Sequence, residues 1–286
     1  MPLMPHWPLY LGVNKDSTNA VEKLSKILEI LHNPQNKLLN VIHITGTNGK
    51  GSTASYISEI LKQSGFKVGK YTSPHIHLCN ERIQINNEMI SDNDLYDTIE
   101  QIRLVCEDLK IDLTIFECTT LAMIIYFEKR KCDFNVVEVG MGGMLDATNV
   151  FDKNPPIISI ITSVHLDHTK FLGNTPEEIA FQKCFIIKPN SICISAAQTI
   201  NVKKIIQARC NAINTKAYFY NEDFEGSYIE NDDKNWIFEI NSERHNIKEE
   251  VILPRPSLSG DHQIINAALA VMSCWLIENL DLYVVN

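Results

Sequence analysis

Lys50 stands between Gly49 and Gly51, with the hydroxyls of Ser52 and Thr53 after it and Gly46, Thr47 and Asn48 before it. The apolar, β-branched run VIHIT leads in, and ASYISEIL follows with helical spacing. A glycine-rich turn from a buried strand into a helix exposes backbone N–H groups to an anion, and the helix dipole adds to the attraction. That is phosphate chemistry: Lys50 brings a point charge to the β- and γ-phosphates, and Ser52 or Thr53 offers a hydroxyl to magnesium. The strict pattern G-x-x-x-x-G-K-[ST] is not met, because Ile44 occupies the first glycine position and Gly51 separates Lys50 from Ser52. The alternative is a tight turn whose glycines only relieve strain.

Three more strand ends carry reactive side chains. Ser73 and His75 follow FKVGKYTS, Glu138 lies in NVVEVG, and His165, Asp167 and His168 follow IISIITSV. Magnesium prefers oxygen ligands with a carboxylate among them, so Glu138 and Ser73 suit it and a histidine can complete the shell. His75-x-His77 and His165-x-x-His168 with Asp167 are the competing zinc reading, but no helical H-E-x-x-H is present. His43 and His77 read as packed or surface histidines.

The elements that must hold these groups are short apolar runs alternating with amphipathic stretches. LNVIHITG, FKVGKYTS, FNVVEVG, IISIITSV and SICISAA read as strands. Helices are expected over residues 54–63, 92–108, 113–131, 176–187 and 201–211. Runs apolar on both faces imply a mostly parallel sheet with helices on both faces, an α/β fold of the P-loop type that binds ligands at the carboxyl ends of its strands. KAYFY, NWIFEI and EEVILP read as a small antiparallel part, residues 221–234 as a mobile surface loop, and SGDHQIINAALAVMSCWLIENL as a closing helix.

Bulk properties narrow the class. With 286 residues and 44% hydrophobic content the chain can bury a sizeable core. A net charge of -9 argues against nucleic-acid or membrane-surface partners. Eight cysteines without a C-x-x-C pair indicate neither a zinc ribbon nor a disulfide framework. The start, MPLMPHWPLYLGVNKDST, lacks a basic region followed by an apolar one, and no apolar run approaches the roughly 20 residues of a membrane span. A cytoplasmic location is expected.

HITGTNGKGST, YTSPHIHLCNERIQINNEMIS, FECTTLAMIIYF, VVEVGMGGMLDATN, SVHLDHTKFLGNTPEEIAFQKCFIIKPN and SGDHQIINAALA follow one another between about Leu39 and Ala270. Together they resemble the folylpolyglutamate synthase / dihydrofolate synthase branch of the Mur ligase superfamily, whose own phosphate loop reads G-T-N-G-K-G-S. A peptidoglycan Mur enzyme fits less well, since those usually carry threonine where Gly51 stands. The resemblance implies an ATP- and Mg2+-dependent ligase that joins L-glutamate to folate or dihydropteroate through an acyl phosphate. It also implies roles by position. Gly46, Thr47, Asn48, Gly49, Lys50, Gly51 and Ser52 hold the nucleotide phosphates, and Asn266 meets adenine, with His262 and Gln263 orienting its helix. Ser52, Ser73, Glu138, His168 and Lys183 form the metal set, Lys183 as a carbamylated lysine. Lys50, His168 and Lys183 serve catalysis, and the segment with His75, Asn80 and Arg82 closes over the pterin and glutamate. For Lys183 the alternative is a surface helix lysine.

The sequence also departs from the family. Met144 replaces an arginine in the G-G-R-L-D-A-T-N pattern, and Gln182, Cys184 and Phe185 differ from the family's surroundings of the lysine. Residues 1–286 are expected to form the N-terminal ATP-binding domain, without the family's C-terminal domain and its D-x-A-H-N motif; Arg244-His245-Asn246 has the wrong context. Two functions remain open: a ligase, with a partner supplying the second domain, or a catalytically inactive remnant that still binds nucleotide.

Overall fold

In a computed structural model of the protein, residues 20–284 are described; the stretch MPLMPHWPLYLGVNKDST lies outside them. The described strands are β1 (Val41–Thr45), β2 (Val68–Tyr71), β3 (Ile83–Ile85), β4 (Glu88–Met89), β5 (Phe134–Glu138), β6 (Ile158–Ile161), β7 (Ile192–Ser195), β8 (Ala217–Phe219), β9 (Phe224–Tyr228), β10 (Asn235–Ser242) and β11 (Ile247–Pro254). The helices are α1 (Ala20–Ile30), α2 (Lys50–Gln63), α3 (Asp92–Leu109), α4 (Ile115–Arg130), α5 (Thr169–Leu172), α6 (Pro176–Lys183), α7 (Ile200–Ala212) and α8 (His262–Asn279).

Eight strands form one sheet in the order β4-β3-β2-β5-β1-β6-β7-β8. From β2 to β8 the pairing is parallel, and β3 and β4 add antiparallel strands at one edge. The five residues of β1 and of β5 are all buried, as central parallel strands between helical layers require. The period of two divides their side chains. Ile42, Ile44, Phe134 and Val136 join α2, α8 and the small sheet, whereas Val41 and Val137 face α1, α3 and α4. A third cluster unites Ile161 and Cys193 with α6 and α7.

Local sequence explains the helix starts. Thr114 and Thr175 accept from the backbone N–H groups of Glu117 and Glu178, whose carboxylates reach back to the cap residues, two reciprocal capping boxes. Ser91 and Thr199 cap α3 and α7 by the same threefold spacing.

The expected fold class holds, with three corrections. KAYFY is not antiparallel: its residues 217–219 form β8, paired parallel to β7. Residues 221–234 are not one mobile loop, because β9 occupies 224–228, with Phe224 buried and Gly226 under the Trp236 ring. The helix expected over 176–187 ends at Lys183 and gives way to a tighter 3-10 turn over Cys184–Ile186. In the small sheet β10 buries Trp236, Phe238 and Ile240, and β11 forms an exposed outer strand with Val251 and Ile252 facing out. Among the described residues no helix is long and apolar enough to cross a membrane.

Phe134 is fully buried on β5 and makes edge contacts with Phe66 and a tilted one with Tyr283. Phe134→Ala is expected to destabilise the domain by about 3–5 kcal/mol, read as a lowered denaturant midpoint at unchanged slope.

Candidate functional site

The turn between β1 and α2 is held from three directions. On the β6 side, Thr47 N–H donates to Ser163 O (2.7 Å), Thr47 Oγ1 donates to His165 O (3.1 Å), and His165 N–H returns a bond to Thr47 Oγ1 (3.0 Å). On the α8 side, Asn266 Oδ1 lies 2.3 Å from where a Cβ on Gly49 would stand. On the α6 side, Lys183 Nζ donates to Gly46 O at 2.8 Å. Gly46 has no room for a side chain, since a Cβ there would sit 1.8 Å from Thr162 Oγ1. Gly49, with φ 88°, is in the left-handed region that only glycine enters readily. The glycines therefore permit close packing as well as a turn.

The loop ends in an anion-binding geometry. Thr53 N–H to Gly49 O is the first bond of α2, which leaves the amides of Lys50, Gly51 and Ser52 without intrahelical acceptors. Lys50 Nζ is folded back on Gly46 O (3.1 Å) and Thr47 O (3.2 Å). A ligand phosphate of stronger charge competes for that amine.

Glu138 ends β5 in register with Ile44 of β1. Its Oε2 accepts from Ser73 N–H (3.2 Å) and lies 3.5 Å from the position of a Cβ on Gly51. Burial pushes its carboxyl up to about 7, opposed by the nearby charge of Lys50 and the Ser73 N–H. Lys183 is buried on α6; burial, and then the charge of Lys50, lower its amine to about 8. It is no surface lysine. The loop Gly140–Asn149 packs under it, with Met144 N–H bonded to Gln182 O (2.9 Å) and Gly143 within 2.9 Å, measured from a virtual Cβ, of the Gln182 and Lys183 carbonyls.

Sequence reasoning gave Asp146 no role. The structure makes it the anchor of that loop: it accepts from Met141 N–H (2.9 Å), Thr148 N–H (3.0 Å) and Thr148 Oγ1 (2.5 Å), while burial raises its carboxyl. Thr148 Oγ1 in turn accepts from His43 Nε2 at 2.8 Å, and burial, with the charge of Lys188, lowers that histidine to about 3. His43 is thus a neutral core residue bracing the site from below.

Other candidate residues divide by position. Ser52 Oγ accepts from Gln263 Nε2 (3.4 Å), and Gln263 Oε1 accepts from Asn266 (3.0 Å), so α8 is hydrogen-bonded to the start of α2. His168, exposed with φ 46°, pairs with Asp167 at 3.6 Å. His75 Nδ1 accepts from Arg82 Nε (2.9 Å). Asn80 is buried, its amide committed to Ile90 O (2.8 Å) and Asp92 Oδ1 (3.0 Å). Among the described residues no three His, Cys, Asp or Glu side chains gather as a metal cluster. A buried carboxylate that accepts from the Ser73 N–H, with the Gly51 end of the turn next to it, fits a hard cation held together with phosphate oxygens.

The Mur ligase middle domain matches residues 44–274. The chain belongs to the Mur ligase family. The Gly46–Ser52 turn, Glu138 and the part of α8 up to residue 274 fall inside the matched span. This Mur ligase domain is 35% identical over 260 residues to a dihydrofolate synthetase of Saccharomyces cerevisiae, covering 88% of this chain and 56% of the relative. It is 33% identical over 284 residues to a dihydrofolate synthase/folylpolyglutamate synthase of Bacillus subtilis, covering 95% and 62%. The apo form of Lacticaseibacillus casei FPGS superposes with a TM-score of 0.83 at 31% identity, over 97% of this chain and 67% of that one. An FPGS–AMPPCP–folate complex gives 0.83 at 31% over 97% and 66%. The chain thus spans about half to two thirds of the length of these relatives, and within the superfamily it sits with the folylpolyglutamate and dihydrofolate synthases.

The raised Glu138 carboxyl has a direct consequence for stability. An unfolded glutamate releases its proton near 4.5, and the folded one near 7. Between these values the native state holds more protons, so stability falls as pH rises through the window and the cost is complete above pH 7. Glu138→Gln is expected to be more stable than the parent at pH 8 by roughly 1–3 kcal/mol, with the difference vanishing near pH 4.5. Urea unfolding in chelator at both values measures this; a difference independent of pH would refute it.

Proposed function

We propose that the domain binds Mg-ATP at the Gly46–Ser52 loop and works as the phosphoryl-transfer half of a ligase that joins L-glutamate to folate or dihydropteroate. The observation that carries this reading is the meeting of the phosphate loop, Lys50, Lys183 and the buried Glu138 at adjacent strand ends. A carboxylate of the pterin substrate attacks the γ-phosphorus and ADP leaves; the glutamate amine then attacks the acyl carbon, the nitrogen gives up a proton, and the C–O bond breaks to release inorganic phosphate and leave the amide. A carboxylate is a poor electrophile until its oxygen becomes a leaving group, so the protein's task is positioning, charge neutralisation and exclusion of water.

The roles follow from placement. The free amides of Lys50, Gly51 and Ser52 receive phosphate oxygens, and Lys50 turns from the Gly46 and Thr47 carbonyls to the transferred group. Ser52, Ser73, Glu138 and His168 are the side chains that would hold magnesium, which supplies charge neutralisation when bound. Lys183, with its amine lowered to about 8 by burial, has the nucleophilic character that carbamylation by carbon dioxide requires. Asn266 lies against Gly49 and offers its amide to the base, and His75 and Arg82 flank the pterin and glutamate side.

Residues 1–286 form, in this reading, the N-terminal ATP-binding domain, and a C-terminal domain, in the same polypeptide or from a partner, completes the nucleotide pocket. The second reading, a nucleotide-binding remnant, is favoured by Met144 in place of the family's arginine.

Calorimetric titration with Mg-ATP, followed by phosphate release with dihydropteroate or folate and glutamate, separates the two. Glutamate-dependent release overturns the remnant reading, and binding without release means a surviving ATP site on an incomplete enzyme. Lys50→Ala is expected to weaken Mg-ATP binding by at least about tenfold, the loss of one charge-assisted contact. Unchanged affinity would refute the loop assignment.

A further inference from the structure

Between Ser73, which donates to Glu138, and the turn at Cys79–Arg82, the chain carries three successive backbone N–H groups aimed at one carboxylate. Glu81 Oε2 accepts from Ile76 (2.7 Å), and Oε1 accepts from His77 (2.9 Å) and Leu78 (2.7 Å). Successive amides of this kind form a concavity that binds anions, and here it is filled by the chain's own side chain. The donors of Ile76, Leu78 and His77 hold the carboxyl down to about 2. The turn that carries Glu81 is itself fastened on both sides, by Asn80 to Ile90 and Asp92 and by Arg82 to His75.

What the clamp presents is unusual for a polar loop. Ile76 is 83% exposed and Leu78 58% exposed. Two apolar side chains are exposed on a segment whose backbone donors are occupied by Glu81, and this segment begins three residues along the chain from Ser73, whose N–H meets Glu138 beside Gly51. Fixing a contact segment before binding spares the ligand the cost of ordering it.

We propose that Glu81 is the positioning residue of the Ile76–Leu78 segment, holding it by the backbone so that its apolar side chains meet the pterin-bearing substrate beside the phosphate loop. The substrate half of this inference rests on the ligase reading above. Glu81 touches no reacting atom and acts through the segment alone.

The test compares the parent chain with Glu81→Ala and Glu81→Gln. Hydrogen exchange of the Ile76, His77 and Leu78 amides is expected to speed up by at least about tenfold in Glu81→Ala. Glu81→Gln, which keeps one carbonyl acceptor, should fall between. Amides of β1 and β5 should exchange as in the parent, and Mg-ATP affinity should stay within about twofold, because the phosphate loop is held by other contacts. Affinity for dihydropteroate or folate, titrated in the presence of Mg-ATP, should drop by about tenfold. Unchanged exchange at 76–78, exchange accelerated equally in β1 and β5, or accelerated exchange with unaltered pterin affinity would each overturn the proposal. A parent chain that binds Mg-ATP but neither pterin compound would sink the ligase reading and the substrate half with it, leaving the backbone clamp to be judged by exchange alone.

Discussion

The absence of space at Gly46 governs the site. Its backbone lies against Thr162 at the end of β6, its carbonyl takes the amines of both Lys50 and Lys183, and any side chain would push these apart. Thr162 also ties back to β1, donating through N–H (2.8 Å) and Oγ1 (3.2 Å) to Thr45 O. Two neighbouring parallel strands thus end in one shared knot. The loops that follow them leave from it in fixed directions, which is how residues 117 positions apart in sequence come to share one strand end.

Around that knot the charges are arranged at a cost to the apo protein. Lys50, Lys183, Glu138 and Asp146 influence one another in a largely buried space, and burial shifts Glu138 and Asp146 up and Lys183 down. A domain selected for stability alone would fill such a site with apolar groups or with fully satisfied polar ones. Asp146 does approach full satisfaction, through Met141 and Thr148. Glu138 accepts from Ser73 N–H alone among its described hydrogen bonds, and so is the least satisfied of the buried charged groups here.

Much of this was legible in the sequence because buried parallel strands and glycine-rich turns write strong patterns. VIHIT and FNVVE are apolar on both faces, and Gly46 to Ser52 could serve only a few purposes. β8 was misread because three aromatic-rich residues carry no sign of pairing direction, and β9 because one buried aromatic, Phe224, stands in a polar stretch. α1, β3 and β4 went unread; the last two are only three and two residues long. Asp146 and Glu81 stand inside the quoted family stretches, yet their partners were not legible, since a carboxylate that accepts backbone N–H groups depends on how the chain folds back and not on its side-chain neighbours in sequence.

The small sheet leaves β11 with one paired edge and one open one. An open strand edge with Val251, Ile252 and Leu253 in its run is a template on which a second chain can add itself. Lys248, Glu249 and Glu250 precede those residues and Pro254 closes the strand, so charge repulsion and a missing N–H interrupt the ladder at both ends. Neutralising the two glutamates would remove this guard, and the penalty would be borne by solubility.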